Sequence, residues 1–124
     1  MVHLPIMMLA ASMGVWLFYV QHQYEDVAWA RSSGWSHHDA GLRGSSYYDL
    51  PGFLRWITGN IGIHHVHHLN SRIPYYRLPK VLRDHPELKT VGRLTVLDSL
   101  KGVRLSLWCE RAQKMVSFKA AKRG

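Results

Sequence analysis

The stretch LPIMMLAASMGVWLFYV, residues 4–20, is apolar almost throughout and carries no charged side chain. As a helix it spans about 25 Å, slightly less than the hydrocarbon core of a bilayer, and extension to residue 24 reaches both interfaces. We therefore predict a transmembrane helix over residues 4–24, with Trp16, Tyr19 and Tyr24 toward one interface. A signal peptide is disfavoured because no basic residue precedes the run and no small-residue cleavage site follows it. A buried helix of a soluble protein stays an open alternative.

The basic residues are distributed unevenly along the chain. All 16 Lys and Arg lie from Arg31 onward, against 8 Asp and Glu in the whole sequence. A basic segment directly behind an apolar helix is typical of a cytoplasmic face against anionic lipid. We therefore predict an integral membrane protein with residues 25–124 in the cytoplasm. Because the basic residues are dispersed, we expect membrane lipid as a partner and no nucleic acid.

The rest of the chain favours short elements. Residues 31–52 are rich in Gly, Ser and Asp and predict an irregular connection. Residues 53–60, FLRWITGN, predict a short interfacial or buried helix, and residues 64–70 predict another helix. Residues 90–118 alternate apolar and polar in places, which does not decide between helix and strand. We predict an all-α membrane protein within one domain, residues 1–124, with one transmembrane helix, cytoplasmic or interfacial helices and an irregular basic tail.

Histidine is the compositional outlier, with nine in the chain, and four of them fall in IGIHHVHHLN, residues 61–70. On a helix, His64, His67 and His68 lie at positions i, i+3 and i+4 and project from one face. His65 is rotated by about 100° from His64 and is predicted to point elsewhere. Three neutral imidazoles on one face can bind Fe, Zn, Cu or Ni. A solvated polar face is the alternative, but the density of histidines between apolar residues favours metal ligands.

Two further residues are candidates for the same site. His22 ends the apolar run in VQHQYED, where an ionisable group is costly and usually functional. Beside the histidine cluster it is predicted as a ligand from another helix, with a structural interfacial role as the alternative. Asn60 lies four residues before His64 and would accept the second N–H of that ring if the helix extends so far; a capping role is equally open. The pair at positions 37 and 38 lies in a Gly/Ser-rich loop, so we expect no metal role for it.

Several motifs are absent from the sequence. Without His-Glu-x-x-His, a zinc protease would lack its general base. There is no phosphate-binding glycine loop and no nucleophile elbow. Cys109 is the single cysteine, which excludes an internal disulfide and zinc sites built on paired cysteines.

The strings WLFYVQHQYED, HDAGLRGSSYYDLP and GNIGIHHVHHLNSRIPYYRLP closely resemble the distal half of the membrane fatty acid desaturases, nearest to the bacterial delta-12 (omega-6) type. The resemblance implies that His64, His67 and His68 form a His-x-x-His-His box of a non-haem di-iron centre on the cytoplasmic side. It also implies that His22 is an additional ligand at the end of a late transmembrane helix.

The resemblance further implies an O2-dependent oxidoreductase that desaturates a fatty acyl chain on a lipid or CoA carrier. Electrons would come from a ferredoxin or a cytochrome b-type donor. An acidic donor could dock on a basic face, with anionic lipid as the other explanation for that face; the face consists of Arg72, Arg77, Lys80 and Arg83.

Members of this family carry two earlier histidine boxes, which this sequence lacks. We therefore expect the carboxy-terminal part of a desaturase, inactive on its own because half of the ligand set is missing. The alternatives are a membrane-anchored metal-binding remnant without activity and a related hydroxylase or ketolase of alkanes or carotenoids.

Overall fold

A computed structural model describes residues 1–122, and this range is mostly helical, as predicted. The helices are α1 (His3–His22), α2 (His37–Arg43), α3 (Gly52–Ile57), α4 (His64–Leu69), α5 (Leu78–Asp84), α6 (Val96–Gly102) and α7 (Phe118–Ala121). The strands are β1 (Tyr47–Tyr48), β2 (Arg93–Leu94), β3 (Leu107–Cys109) and β4 (Lys114–Val116). Short 3₁₀ turns lie at Ser32–Gly34, Tyr75–Arg77 and Pro86–Lys89.

The long helix α1 forms close to the predicted bounds. Its 20 residues extend about 30 Å, and within residues 1–122 it is the one helix long and apolar enough to cross a membrane. Most of its side chains are exposed, and only near its end are Val20 and Gln21 buried. The helix stops at His22 because Gln23 leaves the helical conformation (φ −123°, ψ 77°).

Tyr24, predicted to lie toward an interface, has its side chain buried within the body. It follows the end of α1, and its hydroxyl donates to the backbone carbonyls of Arg43 and Ser45 over 2.7 and 3.3 Å. The reason is that the chain turns into the body directly after His22. Tyr24 therefore packs in a small core cluster with Val27 and Met115.

The prediction of an all-α chain with an irregular tail is wrong for two segments. Strand β1 pairs in parallel with β2, so the Gly/Ser-rich connection is tied to the tail through main-chain hydrogen bonds. Strands β3 and β4 form an antiparallel hairpin, whose turn is helped by the positive φ (50°) of Gln113. The alternation noted in the tail is thus that of a hairpin, with Met115 buried on one face.

Helix α3 lies in the segment where a short helix was predicted, and none of its residues is buried. Its side chains Phe53, Trp56 and Ile57 lie at i, i+3 and i+4 and are 59–81 % exposed. Leu54 packs on the cluster that contains Val20 at the end of α1. Arg55 turns inward, donating to Asp49 Oδ1 and the Leu50 carbonyl, each over 3.1 Å. The exposed face of α3 is therefore apolar and lies beside the end of α1.

Helix α4 is held by its neighbours. It has six residues and no side-chain N-cap, and an isolated helix of this length is unstable in water. The Tyr48 N–H donates to the Gly62 carbonyl over 2.7 Å, and a Cβ on Gly62 would collide with the Tyr48 carbonyl oxygen. Val66 is buried in a core cluster with Ile63 and Leu82, and α2 packs along α4. These contacts place α4 next to the end of α1.

Candidate metal centre

The candidate site forms where the last turn of α1 meets α4. His22 is the final residue of α1, and His64 and His68 lie one turn apart on α4. Nε2 of His64 lies 3.0 Å from Nε2 of His22 and 3.1 Å from Nε2 of His68. One ring nitrogen from each of the three residues lies within 4.8 Å of the other two. The structure therefore brings together three of the four histidines predicted as ligands.

His22 is oriented by a backbone group that the sequence analysis missed. Its Nδ1 lies 3.0 Å from the carbonyl oxygen of Gly44. Because a carbonyl only accepts, Nδ1 carries the proton and donates, and Nε2 presents a lone pair toward His64. Metal-binding histidines commonly have their second N–H held by an acceptor in this way. Phe18, one turn earlier on α1, packs against the ring with centroids 4.9 Å apart.

The environment keeps the rings of His64 and His68 neutral. His64 is 8 % exposed, and burial, followed by the charges of His68 and His22, lowers the pKa of His64 to about 3. The pKa of His68 is also lowered, first by burial and then by His22. Nδ1 of His64 has no hydrogen-bond partner among the described residues. Neutral imidazole is the form that binds metal ions, so both rings are ready to act as ligands at neutral pH.

The arrangement of the three rings is explained better by coordination of a metal ion than by hydrogen bonds between the rings. A neutral imidazole carries one N–H, so Nε2 of His64 cannot donate to both of its neighbours. Two nitrogens that are each about 2.1 Å from one ion lie about 3.0–3.4 Å apart, depending on the angle at the ion. The separations of 3.0 and 3.1 Å from His64 to His22 and His68 lie in this range. The donor set therefore suits a transition metal that accepts imidazole ligands.

The other predicted ligand, His67, lies next to this group. Its ring is stacked on that of His64 with centroids 5.8 Å apart, but it is not one of the three residues whose nitrogens converge. His65 points away from the group, as predicted: it is completely buried, and its Nε2 bonds to the Leu88 carbonyl over 2.9 Å. His37 and His38 begin α2, are exposed, and also lie outside the convergent group.

Asn60 has a different partner from the one predicted. Its side-chain amide donates to the backbone carbonyl of Tyr75 over 3.1 Å. The prediction required the helix to extend back to Asn60, but α4 begins at His64 and Asn60 has a φ of 57°. Because the chain turns sharply before α4, this residue does not lie on the same helical face as His64.

A cavity of about 950 Å³ lies elsewhere, between the segment that follows α1 and the tail. Its walls include Tyr24, Trp29 and Trp108, and no histidine is among its lining residues. The histidine cluster is therefore a compact meeting of side chains, separate from the cavity.

Comparison with known proteins identifies the family of the chain. The sequence model of the family described as "Fatty acid desaturase" matches residues 1–94. A fatty acid desaturase of Bacillus subtilis (strain 168) is 46% identical over 118 residues, 95% of this chain and 34% of the relative. The Homo sapiens sphingolipid delta(4)-desaturase/C4-monooxygenase DES2 is 46% identical over 46 residues, 37% of this chain and 14% of that protein.

No solved structure shows a significant match to the chain. The chain spans about a third of the length of the Bacillus subtilis relative and less of the human one. The family match covers α1 through β2 and so contains both helices that carry the convergent histidines. The chain belongs to the fatty acid desaturase family.

Proposed function

We propose that this chain contributes part of the histidine-bound non-haem iron centre of a membrane enzyme that introduces a double bond into a fatty acyl chain. The observation that carries the proposal is the meeting of His22 from α1 with His64 and His68 from α4, with their ring nitrogens within 4.8 Å of one another. His67, whose ring stacks on that of His64, would be a further ligand of the di-iron centre that the family resemblance implies. When bound, iron supplies the dioxygen activation that breaking an unactivated C–H bond requires.

The residues of this chain would hold and orient the metal. The Gly44 carbonyl fixes the tautomer of His22, since it accepts the proton on Nδ1 and leaves Nε2 free to bind. Burial of His64 keeps its ring neutral and shields it from bulk water. Proton competition is therefore weak at neutral pH for His64 and His68, and His22 at the end of α1 completes a partly desolvated set.

The proposal places the site at a membrane surface. α1 would span the bilayer, and His22 at its end would lie near the interface, with the basic residues and the histidine box on the cytoplasmic side. The apolar face of α3 supports this placement, because Phe53, Trp56 and Ile57 are exposed beside the end of α1. Aromatic side chains are enriched at this depth, so α3 is proposed to lie in the interface.

The substrate and the electron donor are proposed from the resemblance. The substrate would be a fatty acyl chain on a lipid or CoA carrier. The donor would be a ferredoxin or a cytochrome b-type protein that docks on the exposed basic face. That face consists of Arg72, Arg77, Lys80 and Arg83.

Hydroxylation is the second candidate reaction. The human relative is named as both a desaturase and a C4-monooxygenase, and both reactions begin with attack on a C–H bond. A histidine-bound iron centre can serve either outcome, so the products of the whole protein distinguish them.

The metal site can be tested on the 124-residue chain itself. The protein would be purified in detergent through a histidine-free tag, with Cys109→Ser as the background, because a thiolate also binds Co(II). We expect titration with Co(II) to saturate at about one ion with visible d–d bands, and His64→Ala to abolish these bands. Unchanged Co(II) binding by His64→Ala would refute the site.

The reaction can be tested with a chimera. In the Bacillus subtilis relative, the segment that aligns with this chain would be replaced by the 124 residues, and the chimera would be expressed in cells without desaturase. We expect unsaturated fatty acids by gas chromatography, and none from the chimera with His64→Ala or from the 124 residues alone. Hydroxylated products would favour the second candidate, and unsaturated product from the 124 residues alone would contradict the expectation that this chain is inactive by itself.

A further inference from the structure

We infer that His65, the histidine of the box that is not a proposed ligand, is a positioning residue whose hydrogen bond to the Leu88 carbonyl sets the rotation of α4 and thereby aims His64 and His68 at His22. The inference rests on the proposed metal site and adds the residue that fixes its geometry. A merely space-filling core histidine is the competing explanation.

The surroundings of His65 constrain its ring from two sides. The residue is completely buried, and its Nε2 lies 2.9 Å from the carbonyl oxygen of Leu88 in the turn Pro86–Lys89. Because a carbonyl only accepts, Nε2 carries the proton and is the donor. The ring of Tyr47 in β1 lies 5.8 Å away between centroids. His65 thus connects the ligand helix to a segment more than twenty residues later.

The rotation of α4 matters because ligand atoms lie far from the helix axis. A ring at the outer surface of a helix is about 5 Å from the axis, so a rotation of about 20° moves it by about 2 Å. Metal–ligand distances vary by only about 0.2 Å. Nε2 of His64 now lies 3.0 Å from Nε2 of His22 and 3.1 Å from Nε2 of His68. A small rotation of α4 would therefore move the nitrogens of His64 and His68 away from that of His22.

The other contacts of α4 are less suited to fix this rotation. Val66 is buried among apolar side chains and α2 packs along the helix, and apolar packing is less directional than a hydrogen bond. The main-chain bond from Tyr48 to Gly62 holds the point where the segment enters α4, and the helix has no side-chain N-cap. The hydrogen bond of His65 is directional and comes from the turn of the helix that carries the ligands.

The test compares substitutions that keep or remove a donor at the position of Nε2. His65→Gln places an amide N–H at a similar reach, His65→Asn has the same group one methylene shorter, and His65→Phe fills the space without a donor. Each would be made in the full 124-residue chain in detergent with Cys109→Ser, and titrated with Co(II). Visible absorption would report the coordination geometry, and far-UV circular dichroism the helix content.

We expect His65→Gln to bind Co(II) with nearly the affinity and spectrum of the wild type. We expect His65→Asn and His65→Phe to bind about ten-fold more weakly, with shifted d–d bands and unchanged helix content. Wild-type affinity and spectrum in both of the latter variants would overturn the inference, and so would equal loss in all three.

If His65→Phe does not fold, the Co(II) affinities and spectra of His65→Gln and His65→Asn decide whether the inference holds. If none of the three folds, His65 serves the stability of the whole body, and the inference is wrong. The metal site itself is tested separately by His64→Ala: when that variant loses Co(II) and the His65 variants do not change, only the present inference fails. Unchanged binding by His64→Ala would overturn both.

Discussion

The two helices that meet at the candidate site are stabilised in opposite ways. α1 has 20 residues, and its buried side chains, Val20 and Gln21, lie near its end. α4 has six residues, of which His64, His65 and Val66 are buried. A long apolar helix satisfies its own backbone in lipid, whereas a helix of six residues depends on tertiary contacts. One proposed ligand therefore lies on an element defined by composition, and the others lie on an element defined by its neighbours.

The largest expected effect is on Co(II) affinity, and it differs between the two ends of α1. His22→Ala removes one of the three convergent nitrogens, and we expect Co(II) affinity to fall by at least about 100-fold. His3→Ala changes the same residue type at the other end of the same helix, where the side chain is exposed, and should leave the affinity unchanged. Isothermal titration calorimetry in detergent measures both. Equal affinities for the two variants would show that α1 brings no ligand to α4.

Glycine substitutions compare the packing around the two helices. Gly62→Ala places a Cβ against the Tyr48 carbonyl at the entrance to α4, and we expect it to lower the free energy of unfolding by about 2 kcal/mol. Gly14→Ala lies in α1, where nothing is within 4 Å of the added carbon, and should stabilise by at most about 1 kcal/mol. Chemical denaturation in mild detergent provides the measurement. A neutral Gly62→Ala would mean that α4 is less tightly held than its contacts indicate.

An acidic side chain in the body gives a smaller, pH-dependent effect. Burial alone would raise the pKa of Asp49, but hydrogen bonds from Arg93 and Tyr47 outweigh it and hold the pKa below the ordinary 3.8. Its stabilisation is therefore complete above pH 3.8 and is lost as the pH falls through the lower folded-state pKa. We expect Asp49→Asn to cost about 1 kcal/mol at pH 6 and to flatten the acid limb of the stability profile.

The control for that measurement is Asp84→Asn, which removes a fully exposed carboxylate paired with Lys80. We expect this exposed variant to follow the wild-type profile closely, because surface ion pairs contribute little. An Asp49→Asn profile parallel to the wild type would show that Arg55 and Arg93 stabilise the body without this carboxylate.

The smallest change in stability is expected at the apolar face of α3. The measurement there reports whether this face lies in the membrane interface. A nitroxide on Trp56→Cys, in the Cys109→Ser background, should change the free energy of unfolding by less than about 0.5 kcal/mol. In nanodiscs we expect this label to be more accessible to oxygen than to a water-soluble nickel reagent, and a label on Lys101→Cys to show the reverse. Nickel accessibility at 56 equal to that at 101 would remove α3 from the interface.

The features that could be predicted from the sequence are those that depend on a single helix. The apolar run near the start fixed α1 to within two residues at either end, because composition alone determines such a helix. The spacing of His64 and His68 placed them on one face, and the angle of His65 turned it away, as observed. These are properties of a single helix, and local periodicity contains them.

The rest depends on contacts between distant segments. The Gly44 carbonyl that orients His22 has no side chain by which to recognise it. The parallel pairing of β1 with β2 joins two-residue strands that are 46 positions apart in register, Tyr47 with Arg93, too short for any periodicity. Asn60 does not lie on the helical face of His64, because its backbone is left-handed and α4 begins only at His64. No local pattern reports these three features.

The contact between His22 and His64 joins residues separated by 42 positions. An ion bound to both would be a covalent-like cross-link that closes this loop, and loop closure on this scale costs the unfolded chain about 3 kcal/mol of entropy. The metal would thus cross-link α1 to the body that follows it. Removal of the metal would then weaken the fold as well as empty the candidate site.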